Sequence, residues 1–265
     1  TDIAAVLDNP EIDTVVIATR HDAHASQVLA ALRAGKHVFC EKPLSLTLED
    51  LSQIEAEIAL RPNQHLMVGF NRRFAPQVVK MRALLAPLDL PKNVVITVNA
   101  GDIPADHWTQ DAAIGGGRII GEACHFIDLA RHLVGHPIIR HYSVTLGRHP
   151  ALAVHDDKMS LTLEFADGSV ATIHYLANGD KGFPKERVEV FAGGRVLQLD
   201  NFIKLRGWGW TGFSRLNLWR QNKGQSACAA GFINAVVRGG INLIPIDELI
   251  EVSRVTIDAA LTARH

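Results

Sequence analysis

Val15-Val16-Ile17-Ala18-Thr19, and then Gly35-Lys36-His37-Val38-Phe39-Cys40-Glu41-Lys42-Pro43, decide the fold of this chain. The first is a short apolar run rich in β-branched residues, the pattern of a parallel strand covered on both faces. Between the two stretches, Ala25, Val28, Leu29 and Leu32 recur at helical spacing over residues 22–34. Gly35 stands where a helix ends on a left-handed residue. Residues 37–40 read as a second strand. Thr47-Leu48-Glu49-Asp50 resembles a capping box and opens a helix to about residue 60. Residues 66–70 read as a third strand. Strand, helix, strand, helix, strand with short links implies right-handed parallel crossovers. Upstream, residues 1–7 are helix-compatible, with Ile3, Val6 and Leu7 on one face and Asp8-Asn9-Pro10 as the stop.

After Phe70 the pattern changes. Pro76 begins a helix to about residue 85, residues 93–100 alternate as a strand, and a long amphipathic helix over 117–133 closes at Gly135. From His141 onward strands dominate. Residues 159–165 and 170–176 alternate around Asp167-Gly168, and 187–191 and 196–199 around Gly193-Gly194. Helices follow near 227–238 and 247–263. The expected architecture is an α/β unit over 1–72 followed by an α+β unit over 73–265 with one large, mainly antiparallel sheet. Apolar positions on both faces of that sheet suggest that one face covers its own helices and the other a partner, giving a homodimer or homotetramer.

Composition bounds the function. With 47% hydrophobic and 21% charged residues the chain can offset its conformational entropy, so disorder is excluded. A net charge of −1 gives no pull toward nucleic acid or anionic lipid. No apolar run approaches a membrane span. Cys40, Cys124 and Cys228 are odd in number and widely spaced, which fits a reducing, cytoplasmic compartment better than a disulfide framework. The sequence starts at Thr1 inside a helical pattern, so the parent's N-terminus is expected elsewhere.

Lys42 falls two residues past a parallel strand, at the carboxyl end of the sheet, where open α/β folds bind ligands. A lysine there serves as acid or base if its pKa falls, or as a surface partner of Glu41 if it does not. Gly115-Gly116-Gly117 feeds a helix whose first turns carry Glu122, Cys124, His125 and Asp128. Such a triple glycine lets backbone approach a ligand closely. Glu122 and His125, three apart, share a helical face that Asp128 extends. The pair suits acid/base partnership or metal ligation, and equally a dipole-complementing carboxylate beside a core histidine. Two residues are too few for a metal site, and none is expected. Asn71 and Arg72, after the third strand, suit hydroxyl-rich or anionic ligands or a hinge; Trp108 suits sugar stacking or core packing. Gly207-Trp208-Gly209-Trp210-Thr211-Gly212 spells a dinucleotide fingerprint but has no βαβ context, and is rejected as one.

Taken together, Ala18-Thr19 with His24, Glu41-Lys42-Pro43, Val68-Gly69-Phe70-Asn71-Arg72-Arg73-Phe74 and the triple glycine leading to His125 and Asp128 resemble the Gfo/Idh/MocA family of nicotinamide-dependent oxidoreductases. The likeness runs over essentially the whole chain. It is narrowest with the part of bidomain proteins that follows a zinc-type alcohol dehydrogenase-like region, through residues 99–108 and 117–122. The resemblance implies a Rossmann domain, NAD or NADP as cofactor, and hydride transfer from a sugar-like or polyol alcohol. It implies Lys42 as principal acid/base, with His125 and Glu122 beside it. Thr19, Arg20, His24, Glu41 and Lys42 would lie along the nicotinamide, and Asn71, Arg72, Trp108 and Asp128 toward the substrate. Lys42 and His125 are expected to converge on one cleft between the two halves. Two departures stand out. Many family members carry Asp four residues before this histidine, where this chain has Gly121; Glu122 next to it would project about 100° away on an α-helix. The family's first strand and glycine-rich turn are also missing, roughly 65–75 residues or one βαβα half, so the Rossmann domain is expected to be partial and cofactor binding by this chain weak. The rivals are NAD-dependent glycoside hydrolysis, which the same fold hosts, and a non-catalytic dimerisation domain.

Overall fold

The computed structural model describes residues 3–264. Thr1, placed by the sequence in the first helix, and Asp2 lie outside the described residues. Helix α1 (Ile3–Leu7) stops before Asp8-Asn9-Pro10. Strands β1 (Thr14–Ile17), β2 (His37–Cys40) and β3 (Leu66–Val68) form a parallel sheet in that order, with Thr14 opposite His37 and Val38 opposite Leu66. Helices α2 (His21–Arg33) and α3 (Leu48–Ala59) make the crossovers. The N-cap of α3 makes the first half of the expected box: Thr47 Oγ1 accepts from the Asp50 amide at 3.1 Å, while Asp50 Oδ2 accepts from the Thr47 hydroxyl, at 2.8 Å, rather than from its backbone N–H. Val28, Leu32, Val38, Ile54 and Leu66 are fully buried between these layers, each side chain contributing about 1.5–3 kcal/mol. One expectation is corrected. β1 is an edge strand rather than a doubly covered one, because Val16 at its centre is 64% exposed.

The second sheet has eight strands in the order β11-β10-β9-β8-β4-β7-β6-β5. They are β4 (Asn93–Asn99), β5 (Ile138–Thr145), β6 (Met159–Phe165), β7 (Val170–Leu176), β8 (Glu186–Ala192), β9 (Arg195–Asp200), β10 (Lys204–Trp208) and β11 (Arg215–Asn217). Every pairing is antiparallel except β4 with β7. The exception arises because β4 enters between two hairpins, β6–β7 and β8–β9, whose Asp167-Gly168 and Gly193-Gly194 turns were legible. β10 and β11 were not expected. The Gly207–Gly212 stretch lies in β10 and the turn to β11, with Gly207 packed under Phe213 and Trp210, so it opens no helix.

Helices α5 (Cys124–Val134) and α7 (Ile246–Arg264) pack together behind this sheet, and α4 (Pro76–Leu85) and α6 (Gln225–Arg238) complete the helical set. The junction between the two sheets is the 3₁₀ turn Asn71–Phe74. Arg72 donates from Nε and Nη2 to Glu186 on β8 at 3.0 Å each. Arg73 Nε donates to both oxygens of Asp128 on α5, at 2.7 and 2.9 Å, and Nη1 to Glu248 on α7 at 2.6 Å. Consecutive arginines thus rivet the junction to three elements.

His132 on α5 lies among these guanidiniums. Burial first, then the charges of Arg73, Arg82 and Arg131, push its imidazole down to about 3. A base depressed in the folded state gives stability that is complete above the unfolded value near 6.5 and lost as the pH falls below it. With partial exposure, the loss at about pH 5 is on the order of 1 kcal/mol. His132→Leu should therefore lose less melting temperature than the wild type between about pH 7 and about pH 5; parallel curves would show that His132 does not contribute.

Candidate active site

The carboxyl ends of β1 and β2 meet the start of α5 at Lys42. The Lys42-Pro43 peptide is cis, and the ammonium, on a side chain 17% exposed, donates to Glu122 Oε1 at 2.6 Å and to the Gly121 carbonyl at 2.7 Å. The expected helix over 117–133 begins α-helical at residues 117–118 but is then interrupted. Residues Ile119–Ala123 form a π turn, and α-helix resumes over Cys124–Val134. Within this turn the Gly121 carbonyl and the Glu122 carboxylate both face Lys42. Burial alone would raise the Glu122 pKa. The Lys42 charge and hydrogen bond, with Arg72 and Arg118 farther off, outweigh it and hold the carboxyl below its ordinary value. Glu122 is therefore a carboxylate and Lys42 its counter-ion.

Two cavities lie near this pair: Glu122 lines the smaller and Glu41, next to Lys42 in the chain, the larger, while Lys42 itself lines neither. The larger, about 460 Å³, is lined by Glu41, Gly69, Asn71, Arg72, His125 and Lys223 among others. The smaller, about 230 Å³, is lined by His21, Gly117, Arg118, Gly121, Glu122 and Lys185 among others. His125 and Glu122, read as sharing one face, thus open onto different cavities. Burial first, then the charges of Arg72, Lys42 and Lys223, hold the His125 imidazole well below 6.5, so it is neutral. Its Nδ1 is buried without a partner. A stranded N–H is rarer than a stranded lone pair, so the proton belongs on Nε2, the nitrogen left to face a ligand. Lys42 lies within electrostatic reach of His125, but its ammonium is turned to Glu122.

The remaining expected residues divide. Thr19 Oγ1 donates to Gln27 Oε1 at 2.8 Å, the Arg20 guanidinium stands 5.9 Å from the Trp108 ring, and Glu41 packs its carboxylate on Gly69, where a Cβ would come within 2.9 Å. All three remain at the strand ends. His24 is corrected: it is fully buried, with Nδ1 2.7 Å from the Pro43 carbonyl and Nε2 3.2 Å from that of Thr19. It ties β1 to β2 and faces no ligand. Asp128 is also corrected. It is fully buried under Arg73 and cannot reach substrate. Arg72 lines the larger cavity, with Nε and Nη2 donating to Glu186; Asn71 Nδ2 donates to the Lys223 carbonyl at 2.7 Å. Trp108 is half-buried, its ring edge-on to His21 at 4.9 Å. The triple glycine is mostly a packing device. A Cβ on Gly115 would meet the Thr109 backbone at 2.4 Å and one on Gly116 the Leu46 side chain at 2.6 Å, so only Gly117 borders a cavity.

Sequence reasoning missed His21, Arg118, Lys185, Glu186 and Lys223. Arg118 donates to the Gly101 carbonyl at 2.6 Å and stacks on Tyr175; Lys223 Nζ donates to Glu186 at 2.6 Å. No local spacing signals partners this distant in the chain. The Arg20-His21-Asp22 charges at a helix start were the one available hint.

Two family models match this chain: an oxidoreductase family, NAD-binding Rossmann fold, over residues 1–70, and the GFO/IDH/MocA C-terminal domain over residues 91–193. The chain belongs to the Gfo/Idh/MocA family. Its Gfo/Idh/MocA relatives include myo-inositol 2-dehydrogenase of Thermotoga maritima, 28% identical over 199 residues, 74% of this chain and 59% of that protein. Inositol 2-dehydrogenase 2 of Saccharopolyspora erythraea is 35% identical over 190 residues, 69% of this chain and 53% of that protein. The chain thus spans little more than half the length of these relatives. Levoglucosan dehydrogenase in complex with NADH and levoglucosan superposes with a TM-score of 0.85 at 22% identity, covering 99% of this chain and 80% of that one. An oxidoreductase domain protein from Kribbella flavida gives 0.84 at 23% identity, covering 100% and 82%. At those identities the likeness establishes the fold: a Rossmann-like sheet followed by a domain built on a large mixed sheet.

Proposed function

We propose that this chain serves NAD(P)-dependent oxidation of a sugar-like or polyol alcohol. One observation carries the reading: at the carboxyl end of β2, the Lys42 ammonium is held at 2.6 Å from a Glu122 carboxylate, and Glu41, next to it in the chain, lines a cavity together with neutral His125. The inositol and levoglucosan dehydrogenases among the relatives supply the substrate class.

The residues present fit the nicotinamide end of such a cofactor. Thr19, Arg20, Glu41 and Lys42 offer polar groups at the strand ends, and Gly69 leaves room for the Glu41 carboxylate. When bound, the oxidised nicotinamide accepts the hydride. The chain's own groups handle the proton. His125 Nε2–H donates to the substrate oxygen and fixes its orientation, and the hydroxyl proton passes to Lys42 as its ammonium gives one of its own protons to the Glu122 carboxylate it touches. No observation on the site favours glycoside hydrolysis. Among the described residues no glycine-rich strand-to-helix turn is present to grip a diphosphate, so NADH should bind these 265 residues more weakly than micromolar.

The test is incubation of the chain with myo-inositol or levoglucosan and NAD⁺ or NADP⁺ well above micromolar concentration. Reduced nicotinamide should accumulate with at least one pairing. No reduction with any polyol, together with no NADH binding in calorimetry, would overturn the reading.

A further inference from the structure

The smaller cavity holds an imidazole that the reading above does not use. His21 opens α2 and is 8% exposed. Its Nδ1 lies 2.8 Å from the Gly115 carbonyl, an oxygen that can only accept, so Nδ1 carries the proton. In a neutral ring Nε2 then holds a lone pair. The ring is braced by Trp108 edge-on at 4.9 Å and by His24 at 5.6 Å between centroids. It stands beside Gly121: a Cβ there would come within 3.0 Å of His21 Cε1. Where a side chain at 121 would project, the His21 ring already sits. Glu122, Gly121 and His21 line the same cavity, and Glu122 and Gly121 are the two partners of Lys42.

We propose that His21 is a specificity-determining residue of the site, its Nε2 accepting a hydrogen bond from a second hydroxyl of the polyol bound beside the Lys42–Glu122 pair. The inference rests on the dehydrogenase reading and deepens it. The cavity is smaller than a typical whole-ligand pocket, so it takes one edge of a sugar-sized ring. His21 accepts in the smaller cavity, whereas His125 donates in the larger one. The charges facing His21 agree. Burial lowers its pKa most; the Gly115 bond opposes this, Lys42 and His24 lower it further and Glu122 raises it, and the balance favours the neutral ring.

The Asn and Gln variants separate this role from packing. In His21→Asn the amide nitrogen can replace Nδ1–H toward Gly115 but nothing replaces Nε2. In His21→Gln the longer side chain returns a polar group to the Nε2 position. The full chain, labelled at histidine nitrogen, is titrated with myo-inositol as probe, with and without NADH, and melted in parallel. Wild-type His21 Nε2 should shift on addition of polyol. His21→Asn should melt like wild type and bind about three- to tenfold more weakly, the value of one neutral hydrogen bond, raising KM more than it lowers kcat. His21→Gln should recover part of the affinity. If His21→Asn binds like wild type, or Nε2 does not shift, while Lys42→Ala abolishes the polyol response, the His21 assignment is wrong and the dehydrogenase reading survives. If wild type and Lys42→Ala alike show no polyol response, both fall.

Discussion

Lys42→Met should lower kcat/KM for polyol oxidation by about 10²–10⁴, the usual contribution of a positioned acid/base group, with little change in melting temperature. The methionine fills the stem's volume but offers no charge and no proton. The loss should exceed that of Glu122→Gln, which leaves the amine in place and removes only its charged partner. A second signature distinguishes chemistry from packing. The Lys42 charge is the main influence that opposes burial and keeps Glu122 ionised. Without it, the Glu122 carboxyl should titrate at higher pH, and any residual activity should shift its acidic limb upward. Lys42→Met enzyme that retains wild-type kcat/KM would remove Lys42, and with it the proton route proposed above.

The π turn that carries Glu122 shows where sequence reading stops. Local signals placed the strands and caps well. Gly35, just past the C-cap of α2, and Gly135, the C-cap of α5, are left-handed with φ of +80° and +82°, Thr47 caps α3, and the Asp167-Gly168 and Gly193-Gly194 turns join hairpins, because each depends on residues within one turn of chain. The parallel order β1-β2-β3 was likewise legible from period and spacing. Glu122 was not, since its direction depends on a lysine 80 positions earlier capturing the Gly121 carbonyl and the carboxylate together. The same limit explains Asp128. Its spacing from His125 is right for a shared face, but nothing local says that Arg73 will be waiting beneath it. His24 fails for a related reason: its motif marks a position near the site, and only the fold shows the ring enclosed between the Pro43 and Thr19 carbonyl oxygens. β10 and β11 were missed because Gly207, Gly209 and Gly212 read as loop, whereas Gly207 sits within the ladder where Phe213 and Trp210 cross it.

Asp128→Ala should cost about 3–5 kcal/mol of folding stability, the penalty for removing one member of a buried ion pair. Asp128 is 0% and Arg73 5% exposed. Arg73 Nη2 also approaches Asp128 Oδ1 to 2.7 Å, in line for attraction though angled off for a hydrogen bond. With Asp128 gone, Glu248 remains on Nη1, but Nε and Nη2 are left buried with no acceptor. The cost is the stranded guanidinium rather than the intrinsic worth of the pair, so a paired replacement should reveal it. Arg73→Met combined with Asp128→Leu removes both charges and should recover most of the loss, as buried ion pairs often exchange with apolar residues at little net cost. Urea unfolding of the two single variants and the double would measure the coupling. Because Arg73 also holds Glu248 and neighbours Arg72, which anchors Glu186, the double should stay below wild type by the share those bonds contribute. Strict additivity of the two single losses would mean that Asp128 and Arg73 stabilise the fold independently, and the junction between the two sheets would then owe its rigidity to the Arg72–Glu186 and Arg73–Glu248 bonds.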